Sequence, residues 1–170
     1  MTKTKIVLDA DVIIHFSKAD CLSTLPTIFP EYRMEVLSVV FDELKGDVKQ
    51  QLENMIILLK TIDKTPFNPQ KEMKLEYALL LRHFGKGESA CMAYCKYTNN
   101  VIGSSNLKDI KEYCQRNQLV YLTTIDFLYY AIKRGKMTID EAHQFISTVQ
   151  KKGSKLPETD FNTFISHVVI

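Results

Sequence analysis

The stretch IVLDADVIIHF sets two carboxylates, Asp9 and Asp11, between apolar runs that both belong inside a fold. Two more carboxylates stand in comparable places. Glu43 follows the apolar run in LSVVFDEL, and Glu88 opens GKGESACMAYC, with Cys91, Met92 and Cys95 at its i+3, i+4 and i+7 positions. Residues so spaced share a helix face, so Glu88 is expected to point inward with the thiols. An isolated buried carboxylate is costly. Several converging carboxylates repel one another and raise one another's pKa. A divalent cation removes both difficulties, and an all-oxygen donor set suits Mg2+ or Mn2+ rather than zinc. The chemistry these residues can do is that of a hard cation held by carboxylates.

Each residue also has a plainer role open to it. Asp9 fits the cap of the helix that follows it. Asp11 is expected to hold backbone donors in the tight turn. Glu43 can be a solvated surface group, and Asp42 beside it points elsewhere on a helical turn. Interaction with the helix dipole accounts for the place of Glu88 along the helix but not for its inward face. Asp109 lies three residues after Asn106. It fits equally an acidic group in the first turn of a helix capped by Asn106 and a group holding the cation or its waters. His15, His83, His143 and His167 are scattered without metal spacing, and only His15 is near Asp9. Cys21, Cys91, Cys95 and Cys114 contain no CxxC pair. They read as free, mostly buried thiols of a reducing compartment.

The elements that must position these groups alternate. Strands are expected at KIVLD, MEVLSVV, VIGSS and LVYL. DVIIHFSKAD reads as a helix, and a short helical turn is expected at FDELKG. After Gly46, apolar residues recur at helical spacing from Val48 through Leu52, Met55, Ile56 and Leu59 to Ile62, and TPFNPQ breaks the pattern. Asn68 and Pro69 read as cap and first position of a helix lined by Met73, Tyr77, Leu80, Leu81 and Phe84. FGKGES is a joint, and the helix after it carries Glu88. LKDIKEYCQ follows Asn106 as a helix, TTIDFLYYAIKRG is closed by Gly135, and Thr138 with Glu141 forms a capping box. A last helix is expected after Pro157, with Phe161, Phe164, Ile165 and Val168 inward.

Short β-branched strands alternating with longer helices predict a three-layer α/β/α sandwich with a short, mostly parallel central sheet. Ligands of such folds sit beyond the carboxyl ends of the strands, where strand order switches. Asp9 stands at such an end, as do Ser104, Ser105 and Asn106. The 170 residues fit one domain, read as 1–153 with a helical extension over 154–170 packed on it. A net charge of +2 is too small to argue for nucleic acid and does not exclude it, since a local basic patch suffices. The apolar runs are too short to span a bilayer. The lysines near the N-terminus precede no long apolar run, so neither a signal peptide nor a membrane association is expected, and the cytoplasm is the default location.

IVLDADVIIHF, LSVVFDEL, GKGESACMAYC and VIGSSNLKDI, in this order, together with YLTTIDFLYYAIKRGKMTIDEAHQFISTV, resemble a PIN domain over nearly the whole chain. The resemblance implies a Mg2+- or Mn2+-dependent ribonuclease, often the toxin of a toxin–antitoxin pair. It places the family's metal-binding and catalytic acids on Asp9, Glu43 and Glu88, and its small polar position on Asp11. Where the family usually shows a T-D-D or T-N-D pattern, this chain has Ser104, Ser105 and Asn106. Asn106 then offers a neutral oxygen and Asp109 a carboxylate from the next turn, to position the water or a second ion. Ser105 is an auxiliary group, and Lys86, Lys108 and Lys111 are candidate RNA contacts. The implied partners are RNA, an antitoxin chain and a second copy in a homodimer, for which DVKQQLENMIILLKTI offers an apolar stripe. Two other classes compete: a catalytically weakened RNA-binding or protein-interaction module on the same fold, and a small phosphatase or hydrolase, which needs a closed pocket where a nuclease needs an open groove.

Overall fold

Ile6, Val7 and Leu8 are wholly buried, as a strand flanked by neighbours and covered on both faces requires. They belong to β1 (Lys5–Leu8) at the centre of a five-stranded sheet in the order β3-β2-β1-β4-β5. The computed structural model describes residues 4–170; Met1 to Lys3, where the lysine-bearing N-terminus begins, lie outside the described residues. The other strands are β2 (Arg33–Leu37), β3 (Ile62–Thr65), β4 (Val101–Gly103) and β5 (Tyr121–Leu122). Every pairing is parallel, with Ile6 opposite Met34 on one side and Val101 on the other. The chain therefore builds β1, β2 and β3 outward in one direction, then returns to lay β4 and β5 on the other side of β1. Right-handed crossovers in opposite directions put helices on opposite faces. The result is the expected three-layer sandwich, and its switch point lies between β1 and β4.

Along the chain the helices are α1 (Ala10–Lys18), α2 (Leu25–Ile28), α3 (Ser38–Glu43), α4 (Gly46–Ile57), α5 (Lys71–Leu80), α6 (Lys86–Thr98), α7 (Leu107–Asn117), α8 (Thr124–Lys133) and α9 (Ile139–Lys151). α6 lies against β1, β2 and β4, with α5 and α7 beside it. On the other face an aromatic cluster joins α1, α8 and α9. Phe16 meets Phe127 edge-on at 6.1 Å and Phe145 at 4.9 Å, and Phe127 meets Phe29 at 5.8 Å. A buried glutamate, Glu35 of β2, lies in the sheet itself. It accepts from Lys5 Nζ at 2.9 Å and Thr65 Oγ1 at 2.7 Å, with Asn100 Nδ2 at 3.4 Å. These partners tie together both neighbours of β2 and the turn into β4.

Several elements differ from the sequence expectation. The helix after Gly46 ends at Ile57, not Ile62. Ile62 is buried because it pairs with Met34 as a strand residue. Lys60, at φ +54°, turns the chain between the two elements. The second strand stops at Leu37, and Ser38 to Glu43 are already helical. The helix expected from Pro69 begins at Lys71. After Pro157 no helix forms. Asp160 accepts from the amide of Asn162, Ser166 donates to Asp126 at 2.7 Å, and the Tyr130 hydroxyl donates to the Val168 carbonyl. Those side-chain bonds draw residues 160–168 out of a helical path. Phe161 and Val168 are still buried, but Ile165 is 78% exposed. The capping box of Thr138 and Glu141 is present, and a second one, Thr123 with Asp126, starts α8. Among the described residues no helix is long and apolar enough to cross a membrane.

Phe127, wholly buried at the junction of Phe16 and Phe29, carries the packing of α8 on α1. Phe127→Ala is expected to lower the unfolding free energy by about 3–5 kcal/mol in urea denaturation.

Candidate metal centre

Asp9 follows β1 directly and takes the N-cap position of α1. Its amide continues the ladder, donating to the Gly103 carbonyl at 2.8 Å. Its Oδ1 accepts from the Ala10 amide at 2.8 Å, and its Oδ2 from Ser104 Oγ at 3.2 Å. The cap and the site residue are thus the same carboxylate, set at the switch point by the two strands that diverge there. Asp11 does hold backbone donors: the amides of Val12 and Ser105, each at 2.7 Å. The hydroxyl of Ser105 donates to Thr124 Oγ1 at 2.6 Å, and Thr124 Oγ1 lies 2.9 Å from Nδ1 of His15. A chain of neutral groups therefore backs Asp11.

Glu43 ends α3, where the helix dipole disfavours an anion. A different helix compensates it. The Gly87 amide in the first turn of α6 donates to Glu43 Oε1 at 2.9 Å. Gly87 leaves the room this needs, because a Cβ there would lie 2.5 Å from Glu43 Oε2. Glu88 is next along α6. Its Oε1 is buried and has no hydrogen-bond partner. Asn106 stands at the N-cap position of α7 without capping it; its Nδ2 instead donates to Asp109 Oδ2 at 2.7 Å.

Asp9, Asp11, Glu43, Glu88, Ser105 and Asn106 line one hollow of about 510 Å3 at the carboxyl end of the sheet. Burial, then the Asp11 carboxylate, and also Glu88, push Asp9 up to about 8 against the pull of its hydrogen bonds. Burial, then Asp109 and Asp11, push Glu88 up to about 7. Burial raises Asp11 as well. Among the described residues no group of three or more His, Cys, Asp or Glu side chains is arranged to hold a metal ion directly. The oxygen-only donors, the mutual repulsion and the orphaned Glu88 oxygen nevertheless fit a hard cation. An ion of the Mg2+ kind keeps several of its waters and needs only one or two direct carboxylates.

Asp109 does not line the hollow but acts on Glu88 from its edge. Lys86 and Lys108 are exposed outside it, and Lys111 lines a separate cavity between α7 and residues 157–167. Two further ionisable side chains line it: His15, marked in the sequence only by its nearness to Asp9, and Lys155, which the sequence did not single out. The spacing of His15 from Asp11, one helical turn, carried that signal; nothing local marked Lys155. Burial, then Lys18, lowers His15 to about 4, so its ring is neutral near pH 7. Cys91 and Cys95 are free and buried, and burial raises both thiols far above their ordinary value, so they are not ready ligands.

A family model described as a PIN domain matches residues 5–169. No curated protein matches. Among solved structures the chain is similar to VapBC2 from Rickettsia felis bound to a DNA fragment from their promoter. That likeness has 14% identity and a TM-score of 0.53, over 71% of this chain and 98% of that one. It is similar also to VapBC-1 from nontypeable Haemophilus influenzae, with 15% identity and a TM-score of 0.51, over 72% and 99%. At such identities the likeness is one of fold.

Two measurements test this geometry. The Asp9 carboxyl holds its proton more tightly folded than unfolded, so its contribution to stability is full below the ordinary carboxylate range and is lost as pH rises towards 8. Without metal, stability in urea should therefore fall between pH 6.5 and 8, and Asp9→Asn should flatten that fall. Mn2+ should restore the parent at pH 8 but not the variant. Gly87→Ala must displace Glu43, whose flexible carboxylate end moves cheaply. Its metal-free stability should change by less than about 1 kcal/mol, while the rise in melting temperature on adding Mn2+ is reduced or lost.

Proposed function

The chain belongs to the PIN-domain family, and from that membership and its acidic hollow we propose that it is a metal-dependent endoribonuclease. The observation that carries the reading is the meeting of Asp9, Glu43 and Glu88 in one hollow where burial and neighbouring carboxylates raise Asp9 and Glu88. These three residues hold one Mg2+ or Mn2+, partly through water. When bound, the ion supplies an activated water and offsets charge on the phosphoryl oxygens. Ser104 keeps Asp9 oriented and Ser105 keeps Asp11 oriented. Asn106 and Asp109, clamped to each other, orient water at the edge of the site or a second ion. Glu43 and Asn106 are exposed at the rim, so the hollow admits a polymer backbone, which favours a nuclease over a hydrolase of compact substrates.

One observation favours a second reading. Ser104, Ser105 and Asn106 supply no carboxylate after β4, and no closed ligand set is preformed among the described residues. That is the pattern of a weakened module that binds RNA or protein without cutting. In the toxin role the chain would pair with a separate antitoxin chain. Ile57, Leu58 and Leu59, at 58–72% exposure where α4 ends, offer an apolar edge for a homodimer.

The deciding experiment is cleavage of single-stranded and structured RNA with Mg2+, with Mn2+ and with chelator. Metal-dependent cutting, reduced about 100-fold or more by Asp9→Asn, is expected. RNA binding without cutting in either metal would instead identify the weakened module.

A further inference from the structure

We propose that Lys155 contacts a phosphate of the bound RNA and holds the backbone beside the carboxylates, an inference that rests on the ribonuclease reading above. Among the described residues lining the hollow, Lys155 is the one cation, beside Asp9, Asp11, Glu43 and Glu88. The other ionisable groups lining the hollow are those four carboxyls and the neutral ring of His15. Lys155 comes from the segment after α9, far in sequence from every other group in the site. The segment is fastened on both sides of it. Lys18 Nζ donates to the Lys152 carbonyl at 2.7 Å and to Ser154 Oγ at 2.8 Å. Lys152 Nζ donates back to the Lys18 carbonyl at 2.5 Å. Gln150 Nε2 donates to the Leu156 carbonyl at 2.8 Å, and the Leu156 side chain is buried. The backbone on either side of Lys155 is thus held while its own side chain stays exposed. Among the described residues no carboxylate lies within ion-pair reach of its ammonium. A merely structural lysine at an acidic hollow would be expected to pair with one of its acids. This one is left available for an incoming anion, whose phosphate oxygens it can meet as a point charge.

The test uses the full chain in an Asp9→Asn background, so that RNA stays intact, with a fluorescein-labelled single-stranded RNA as the probe. Affinity is measured across a salt series, with and without Lys155→Gln. Loss of this contact should weaken binding about five- to tenfold at low salt and flatten the slope of log K against log salt by about 0.7. Lys155→Arg should restore both. Melting temperatures should agree among the variants, because the side chain is exposed and the fastening bonds use the backbone and other residues. Unchanged affinity and slope in Lys155→Gln, with RNA still bound, overturn the role of Lys155 and leave the ribonuclease reading standing. Absence of RNA binding and of cleavage in the parent chain overturns both.

Discussion

Crowding of like charge at the point where β1 and β4 part is the constraint around which the site is built. Asp9 is placed there by a strand and retained by a helix amide and a serine hydroxyl. Asp11 is fixed by two amides, and Glu43 is stabilised by the first turn of a helix other than its own. Each of these carboxylates accepts from backbone amides or a serine hydroxyl and, among the described residues, none from a cation. Glu88 is the exception, with one oxygen buried and unmet. The fold thus holds its acids in place without giving them a counter-ion, and burial with mutual repulsion raises Asp9, Asp11 and Glu88 instead. The histidine in the hollow does not neutralise them either, since burial keeps its ring uncharged.

Much of this arrangement was legible in the sequence, for a physical reason. A carboxylate embedded in or abutting an apolar run is expensive unless something offsets it, so Asp9, Glu43 and Glu88 stand out against their neighbours. Strand and helix alternation then gives the carboxyl end of the sheet as their meeting place. The capping box at Thr138 was equally readable, because its two partners lie three residues apart.

What stayed hidden depends on contacts between distant segments. β3 was absorbed into the preceding helix because Ile62 continues a 3.6-residue period by coincidence, and only its pairing with Met34 makes it a strand. The tail after Pro157 carries apolar residues at helical spacing, yet Asp126 and Tyr130 capture it through its hydroxyl and carbonyl groups. The need for glycine at position 87 appears only when Glu43 is in place beside it. Lys155 enters the hollow by way of bonds to Lys18, more than a hundred residues earlier in the chain. Local periodicity has no access to any of these.

Glu35 sits in the sheet away from the hollow, yet it bears on the hollow's geometry. A parallel sheet of aliphatic residues has little to choose between neighbouring registers on grease alone, but an anion wholly enclosed in β2 finds Lys5, Thr65 and Asn100 in only one of them. Sliding either adjoining strand by one residue would turn side chains to the opposite face and strand that charge without a counterpart. Glu35 therefore works like an alignment pin, fixing where β1 stops relative to β2 and β3, while Asn100 sets the entry to β4. The separation of Asp9 from Ser104 across the diverging strand ends is inherited from a residue that never approaches either of them.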